Sequence, residues 1–207
     1  MLTTPIDERT RNGETPEGLA CRLSQKKAHA VAGLVGETPA WILAADTVVV
    51  HEGEMLGKPA DPAQAVAYLT RLRDTRHQVV SGVTLLNALT FNQRTETLST
   101  IVHMRAYSRA EIDAYVESGD ALDKAGAYAI QHRTFHPAAS IGGCYANVMG
   151  LPVCVVRRML IDAAGAALPP LSEACERSLG LPCTMPTAPP AARDVLPRAV
   201  PAAHGEG

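Results

Sequence analysis

One aspartate lies where a buried β-strand is expected to carry no charge. The run from Trp41 to Val50 is apolar on both faces of an extended chain, which is typical of a strand inside a sheet, and Asp46 interrupts it. A carboxylate buried there costs several kcal/mol unless a cation, a metal ion or hydrogen bonds compensate. No turn residue flanks Asp46 within the run, which favours a binding site over the alternative of a local turn or cap residue.

A lysine follows this strand directly behind a glycine. Three residues separate Gly53 from Gly57, and Pro59 comes after Lys58, so neither the glycine spacing nor the Ser or Thr of a P-loop is present. Lys58 therefore remains either a point charge for a phosphate oxygen or an ordinary surface lysine. Together with Asp46, this glycine–lysine turn indicates a site for metal-bound phosphate.

A second lysine belongs to a helix that precedes the strand. Thr15 and Pro16 open this helix, with proline at its first position. Lys27 falls about 30° from the middle of the apolar stripe, whereas Lys26 falls about 70° away. A lysine near the inner face reaches either past the core to water or into a cleft that contains an anion.

A third candidate region is the segment Asp123–Gln131. It belongs to the stretch 120–150, which is rich in glycine and polar residues and is expected to be a long loop. Its small residues at 125–127 allow a backbone to approach a ligand closely. The amide of Gln131 both donates and accepts, which suits the edge of a nucleobase, although a polar loop residue is the alternative. For Asp123 and Lys124 the pattern favours a solvated charge pair, and for Asn147 it favours a structural turn.

The elements that must position these residues alternate between strands and helices. Capping patterns begin helices at Asp61 and at Ser108, and the intervening segments 78–89 and 96–105 are typical of a hairpin. A last strand over 151–156 and a short helix to Ala164 complete the series. The sequence therefore predicts an α/β domain built on a mixed sheet.

Composition bounds the class of protein. The chain has 207 residues, a net charge of −2 and 4% aromatics, so nucleic acid is not an expected partner. There is no run of 18 apolar residues and no basic start followed by an apolar stretch, so we expect neither a membrane span nor a secretory signal. Five cysteines without a C-x-x-C pair favour a cytoplasmic protein. We expect one domain over 1–164 and a Pro/Ala-rich, mostly disordered tail over 165–207.

In order along the chain, five segments resemble the Maf family of nucleoside triphosphate pyrophosphatases. The resemblance covers most of the expected domain, and the run ending at Gln131 is its most specific part. Within the family, the Asp-Thr pair at 46–47 and this run are similar to the branch that acts on dTTP and UTP. The matching segments are Ala45–Val49, Gly57–Pro59, Ser81–Val83, Asp123–Gln131 and Asn147–Pro152.

The resemblance implies a mixed twisted sheet flanked by helices, similar to inosine triphosphatases, with a cleft between two lobes. It implies hydrolysis of the α–β phosphoanhydride with a divalent cation, Mg²⁺ or Mn²⁺. Asp46 would be the general base for water or a metal ligand, and Glu8 matches an acidic position near the metal. A nucleoside triphosphate is the implied substrate, and a homodimer is implied by analogy.

The remaining site residues also follow from the resemblance. Lys58 and Lys27 would neutralise charge on the phosphate oxygens, because electrostatic positioning dominates phosphoryl chemistry. Thr47 and Gln131 would discriminate the base.

Three features depart from the family pattern. A Ser-x-Ser-Pro-Arg-Arg loop that would clamp the triphosphate is not found ahead of Ile6, His132 replaces a usual glycine, and Cys144 replaces a usual serine. The missing loop implies either a start codon placed too far downstream or a truncated relative. Two hypotheses follow: a pyrophosphatase acting on dTTP, UTP or modified pyrimidine nucleotides, and a catalytically impaired nucleotide-binding or regulatory relative.

Overall fold

A computed structural model describes residues 6–165, 167 and 168. Its five-stranded sheet has the order β2-β1-β3-β4-β5 and carries helices on its faces, which confirms the α/β class. The strands are β1 (Trp41–His51), β2 (Glu54–Leu56), β3 (Arg76–Asn87), β4 (Gln93–Met104) and β5 (Ala138–Gly142). The helices are α1 (Pro16–Val35), α2 (Pro62–Leu72), α3 (Arg109–Glu117), α4 (Tyr145–Val148) and α5 (Val153–Ala164), with a short 3₁₀ turn at Ala125–Ala127.

Helix α1 begins as its sequence predicts and lies directly on the sheet. The Thr15 hydroxyl accepts a hydrogen bond from the Gly18 N–H at 3.1 Å, and Pro16 occupies the first turn. The helix approaches β3 so closely at Gly82 that a Cβ there would lie 2.4 Å from the backbone C and O of Ala20. A glycine at 82 therefore permits the contact that brings α1, and Lys27 with it, against β1.

Strand β1 has one edge that is only partly paired. It is hydrogen-bonded to β3 along its length, but β2 pairs only with Val49–His51, so residues 41–48 have no second partner strand within the described part of the chain. Alternation along the strand places Asp46 on the same face as Val48 and Val50, which pack under α1. Thr47 and Val49 point to the opposite face, where α2, α3 and the 3₁₀ turn gather around the largest core cluster.

The C-terminal end of the domain differs from the sequence expectation. The segment 151–156 begins helix α5 after Pro152 instead of forming a strand, and its buried residues Val155, Val156 and Met159 have helical spacing. Packing against β3 overrides the strand preference of the valines. The segment 151–156 thus adds no strand to the sheet. Every pairing among the described strands is antiparallel, whereas the sequence analysis expected a mixed sheet.

Two further expectations concern loops and the tail. Strand β5 lies inside the stretch that was expected to be a loop, whereas the hairpin of β3 and β4 and the caps at Asp61 and Ser108 are confirmed. The tail expected beyond 165 falls almost wholly outside the described residues. None of the described helices has the length and apolar character needed to cross a membrane.

Candidate active site

A cleft of about 390 Å³ opens at the partly paired edge of β1. One wall comes from α1 and the residues before it, and the opposite wall comes from the segment around the 3₁₀ turn, as expected for a cleft between two lobes. Because β1 forms the floor and its side chains alternate, both Asp46 and Thr47 border the cleft from opposite faces of the sheet. The structure brings all six candidate residues to this cleft: Glu8, Lys27, Asp46, Thr47, Lys58 and Gln131.

The charged centre of the cleft consists of two carboxylates around one ammonium group. Lys27 Nζ lies 2.5 Å from Asp46 Oδ1 and 3.1 Å from Glu8 Oε1. The Asp46 side chain is 11% exposed, whereas Glu8 is about half exposed at the mouth of the cleft. Lys27 therefore reaches into the cleft and contacts anionic side chains, and does not extend past the core to water.

Burial and charge act on this cluster in opposite directions. Burial raises the pKa of the Asp46 carboxyl above its ordinary value, and the neighbouring Lys27 ammonium only partly opposes this effect. For Lys27, burial favours the neutral amine, but hydrogen bonds to Asp46 and Glu8 outweigh it and raise the pKa of the ammonium. The result is a charged lysine beside a carboxylate that takes up a proton more readily than a solvated aspartate does.

Lys58 differs from Lys27 in its surroundings. It is exposed at the cleft, and no salt bridge among the described residues involves it. The preceding residue is held in place, because the carbonyl of Gly57 accepts a hydrogen bond from the Gly126 N–H at 3.1 Å. Lys58 is thus a cation that is available to an anionic ligand.

The small residues at 125–127 serve packing as well as the cleft. Gly126 has φ +70°, and a Cβ there would lie 3.0 Å from Cγ1 of Val49. The turn therefore fits tightly against the floor strand, while Ala125 lines the cleft. Close approach to a neighbouring strand, and not only to a ligand, accounts for the glycine.

A chain of hydrogen bonds fixes the hydroxyl of Thr47. Thr47 Oγ1 lies 2.8 Å from Ser81 Oγ, and Ser81 Oγ donates to the carbonyl of Asn147 at 3.3 Å. Because the serine proton goes to Asn147, Thr47 donates to Ser81 and keeps its lone pairs free. Asn147 is itself buried and donates to Val79 O at 3.1 Å and Thr100 Oγ1 at 3.0 Å, so it has the structural role that its sequence context favoured.

The segment of Gln131 borders the cleft as a tight turn. The His132 N–H donates to Ala129 O at 3.1 Å, and the Gln131 side chain is exposed at the cleft. Lys124 also lines the cleft and was missed, since the sequence favoured a solvated pair with Asp123. Its ammonium instead contacts Asp120 as well as Asp123, and only the spacing of four residues between Asp120 and Lys124 hinted at this.

The comparisons with known proteins agree with these motifs. A protein from Myxococcus xanthus named dTTP/UTP pyrophosphatase is 43% identical over 164 residues, which cover 79% of this chain and 81% of that protein. Another of the same name from Pelotomaculum thermopropionicum is 38% identical over 160 residues, covering 77% and 83%. One from Dehalococcoides mccartyi is 50% identical over 119 residues, which cover 58% of this chain and 53% of that protein.

This chain thus spans about half the length of the Dehalococcoides relatives that it matches. The sequence model of the family described as "Maf-like protein" matches residues 1–163, nearly the whole of the described part. Four of the five motifs line one cleft, and the family-model match shows that the chain belongs to the Maf-like protein family.

Proposed function

We propose that this chain hydrolyses dTTP and UTP, and modified pyrimidine nucleotides, to the nucleoside monophosphate and pyrophosphate. The observation that carries the proposal is the buried Asp46 carboxylate, 2.5 Å from the Lys27 ammonium, on the floor of a cleft that also presents an unpaired lysine among the described residues. The names of the relatives from Myxococcus and Pelotomaculum support the same substrates.

The reaction adds water across the α–β phosphoanhydride. The oxygen of water joins phosphorus, the bridging P–O bond breaks, and the proton released by water goes to the Asp46 carboxylate in its role as general base. The raised pKa of Asp46 favours this role, because a base that holds its proton more tightly removes it from water more effectively. Lys58 and Lys27 would stabilise the charge that spreads over the phosphate oxygens.

The residues also fit a divalent cation, Mg²⁺ or Mn²⁺, in which case Asp46 and Glu8 would hold it. Their carboxylates contact the same lysine nitrogen, so two hard oxygen donors lie close to each other, with the Lys27 ammonium beside both. Among the described residues, no group of three or more His, Cys, Asp or Glu could hold a metal. Mg²⁺ uses one or two carboxylates and takes its other ligands from substrate phosphate and water. When bound, the cation supplies charge neutralisation and polarises the phosphate oxygens.

Selection of the base is assigned to Thr47 and Gln131. Thr47 offers an acceptor, because its proton is committed to Ser81, and uracil and thymine present an N–H donor between two carbonyl acceptors. The amide of Gln131 can donate to one of those carbonyl groups. This pairing supports a pyrimidine with a protonated ring nitrogen over cytosine, whose corresponding nitrogen is an acceptor.

Pyrophosphate release tests the proposal. We expect the wild-type chain to release pyrophosphate from dTTP and UTP when Mg²⁺ or Mn²⁺ is present, and Asp46→Asn to lower the rate by at least about 10²-fold, as loss of a general base does. Asp113→Asn is the matched control, because Asp113 is an exposed aspartate on α3 paired only with Arg109 among the described contacts. Its rate should equal that of the wild type.

The competing function is nucleotide binding without turnover. Calorimetric titration with dTTP in the presence of Ca²⁺, read together with the pyrophosphate assay, distinguishes this function from hydrolysis. Binding of dTTP by a wild-type chain that releases no pyrophosphate with any divalent cation would favour a regulatory relative over an enzyme.

We further propose that the protein acts in the cytoplasm as a homodimer, without nucleic acid or membrane partners. The odd number of cysteines and the net charge of −2 support the compartment and the lack of a nucleic-acid partner. Sedimentation velocity of the full chain tests the dimer, since a concentration-independent monomer would contradict it.

A further inference from the structure

Lys124 lines the cleft but has no free proton to give to a ligand. Its ammonium donates to Asp120 O at 2.9 Å, to Asp120 Oδ1 at 2.9 Å and to Asp123 Oδ1 at 2.6 Å. A lysine has three such protons, so these contacts use all of them. Lys124 therefore differs from Lys58, because its ammonium is fully used within the chain. Its role beside the cleft is to hold neighbouring residues in place.

The carboxylate of Asp120, which Lys124 holds in place, also accepts a hydrogen bond from a buried tyrosine. Tyr115 OH donates to Asp120 Oδ2 at 2.8 Å and accepts from the Ala129 N–H at 3.0 Å. Since the hydroxyl has a single proton and the carboxylate accepts it, the lone pairs of the tyrosine oxygen face the Ala129 amide. The ring is 3% exposed and stacks on Phe135 with centroids 4.4 Å apart, which fixes the hydroxyl in space.

Ala129 is the residue on which the base-reading turn depends. Its N–H is held by Tyr115, and its carbonyl accepts from the His132 N–H, so both its backbone groups are committed. Among the described contacts the Gln131 side chain has no hydrogen bond of its own. The backbone of the turn therefore determines where the Gln131 amide lies.

We propose that Tyr115, held by Asp120 and Lys124, is a positioning residue that fixes the turn 129–132 and so determines how Gln131 meets the base of a nucleotide. The inference rests on the proposed function for the identity of the ligand. Loss of the tyrosine hydroxyl leaves the buried Ala129 N–H without an acceptor, which the chain relieves by shifting the turn. The affinity for the nucleotide and the preference for its base then fall, while the rate of the chemical step at Asp46 is unchanged.

Two matched variants test the proposal. Tyr115→Phe removes this hydroxyl. Tyr107→Phe removes another buried hydroxyl, which donates to Leu69 O at 2.7 Å. Neither residue lines the cleft, and the ring of Tyr107 also packs on Phe135. The readouts are the Kd values for the α,β-methylene analogues of dTTP and dCTP, KM and kcat for dTTP, and the ratio of kcat/KM for dTTP to that for dCTP.

For Tyr115→Phe we expect Kd and KM to rise about tenfold, the dTTP/dCTP ratio to fall by a similar factor, and kcat to stay within about twofold. Tyr107→Phe should lower Tm without changing Kd, KM or the ratio. If Tyr115→Phe does not fold, Lys124→Met, which releases Asp120, should give the same pattern, with Lys124→Arg restoring most of the affinity.

Equal effects in the two tyrosine variants, a fall in kcat with unchanged KM, or no effect of Tyr115→Phe and Lys124→Met would overturn the inference. A wild-type chain that binds the analogue without turnover would contradict the proposed function alone, because the Kd and its dependence on the base still decide the role of Tyr115. A wild-type chain that binds no nucleotide would overturn both.

Discussion

At the scale of single residues, the cleft depends on how one carboxylate is held. Asp46 lies on a strand whose neighbours are apolar, and Lys27 supplies the cation that its burial requires. Removal of the lysine would leave an uncompensated carboxylate and would raise the pKa of Asp46 further, since the ammonium lowers it. Lys27 therefore stabilises the base as well as facing the substrate.

This arrangement predicts an acid limb in the pH dependence of kcat/KM. The base acts only when ionised, so activity should be present above the raised pKa of Asp46 and lost as pH falls through it. In Lys27→Met the limb should move to higher pH, along with a lower maximal rate. A limb that stays in place in Lys27→Met would contradict a direct effect of the lysine on the base.

His77 gives a second prediction, this time for stability. The ring is 3% exposed and its Nε2 lies 2.7 Å from Tyr128 OH, and burial lowers the pKa of His77 to about 4. Because an unfolded histidine takes up a proton near pH 6.5, the unfolded state binds more protons between those values. The free energy of unfolding should thus fall by about 3 kcal/mol between pH 7 and pH 4 from this group alone.

Urea denaturation at several pH values measures this effect. In His77→Gln the corresponding part of the pH dependence should disappear, although the variant is less stable at pH 7. A wild-type slope that His77→Gln leaves unchanged would mean that other groups account for the loss.

At the scale of elements, the contact between α1 and β3 determines whether Lys27 lies close to Asp46. Gly82→Ala would place a methyl group 2.4 Å from the Ala20 backbone, so α1 must shift. We expect a loss of about 2 kcal/mol in the free energy of unfolding, as for an overpacked core, and a lower kcat because Lys27 moves with the helix. Gly33→Ala in the same helix meets no atom within 4 Å and should leave stability equal or higher.

Elements with strong local signals could be predicted from sequence, and those formed by tertiary packing could not. Proline after Thr15, the caps at Asp61 and Ser108, and the alternating hairpin each specify structure within a few residues. The valines at 153–156 favour a strand locally, but contact with β3 makes them a helix. Strand β5 is short and weakly patterned, so only its pairing with β4 defines it.

At the scale of the whole molecule, the cleft results from a strand edge that β2 covers only in part. This edge lets Asp46 from one face and Thr47 from the other border the same space. The six candidate residues could be placed from motifs because chemistry restricts their types. The network from Lys124 to Ala129 could not, since it joins α3 to a distant turn through contacts that no local pattern encodes.

The most direct measurement of the central claim is ³¹P NMR of the products formed from dTTP. We expect thymidine monophosphate and pyrophosphate in equal amounts with the wild-type chain, and at most about one hundredth as much of either with Asp46→Asn in the same time. Thymidine diphosphate with orthophosphate, or unchanged product formation by Asp46→Asn, would contradict it.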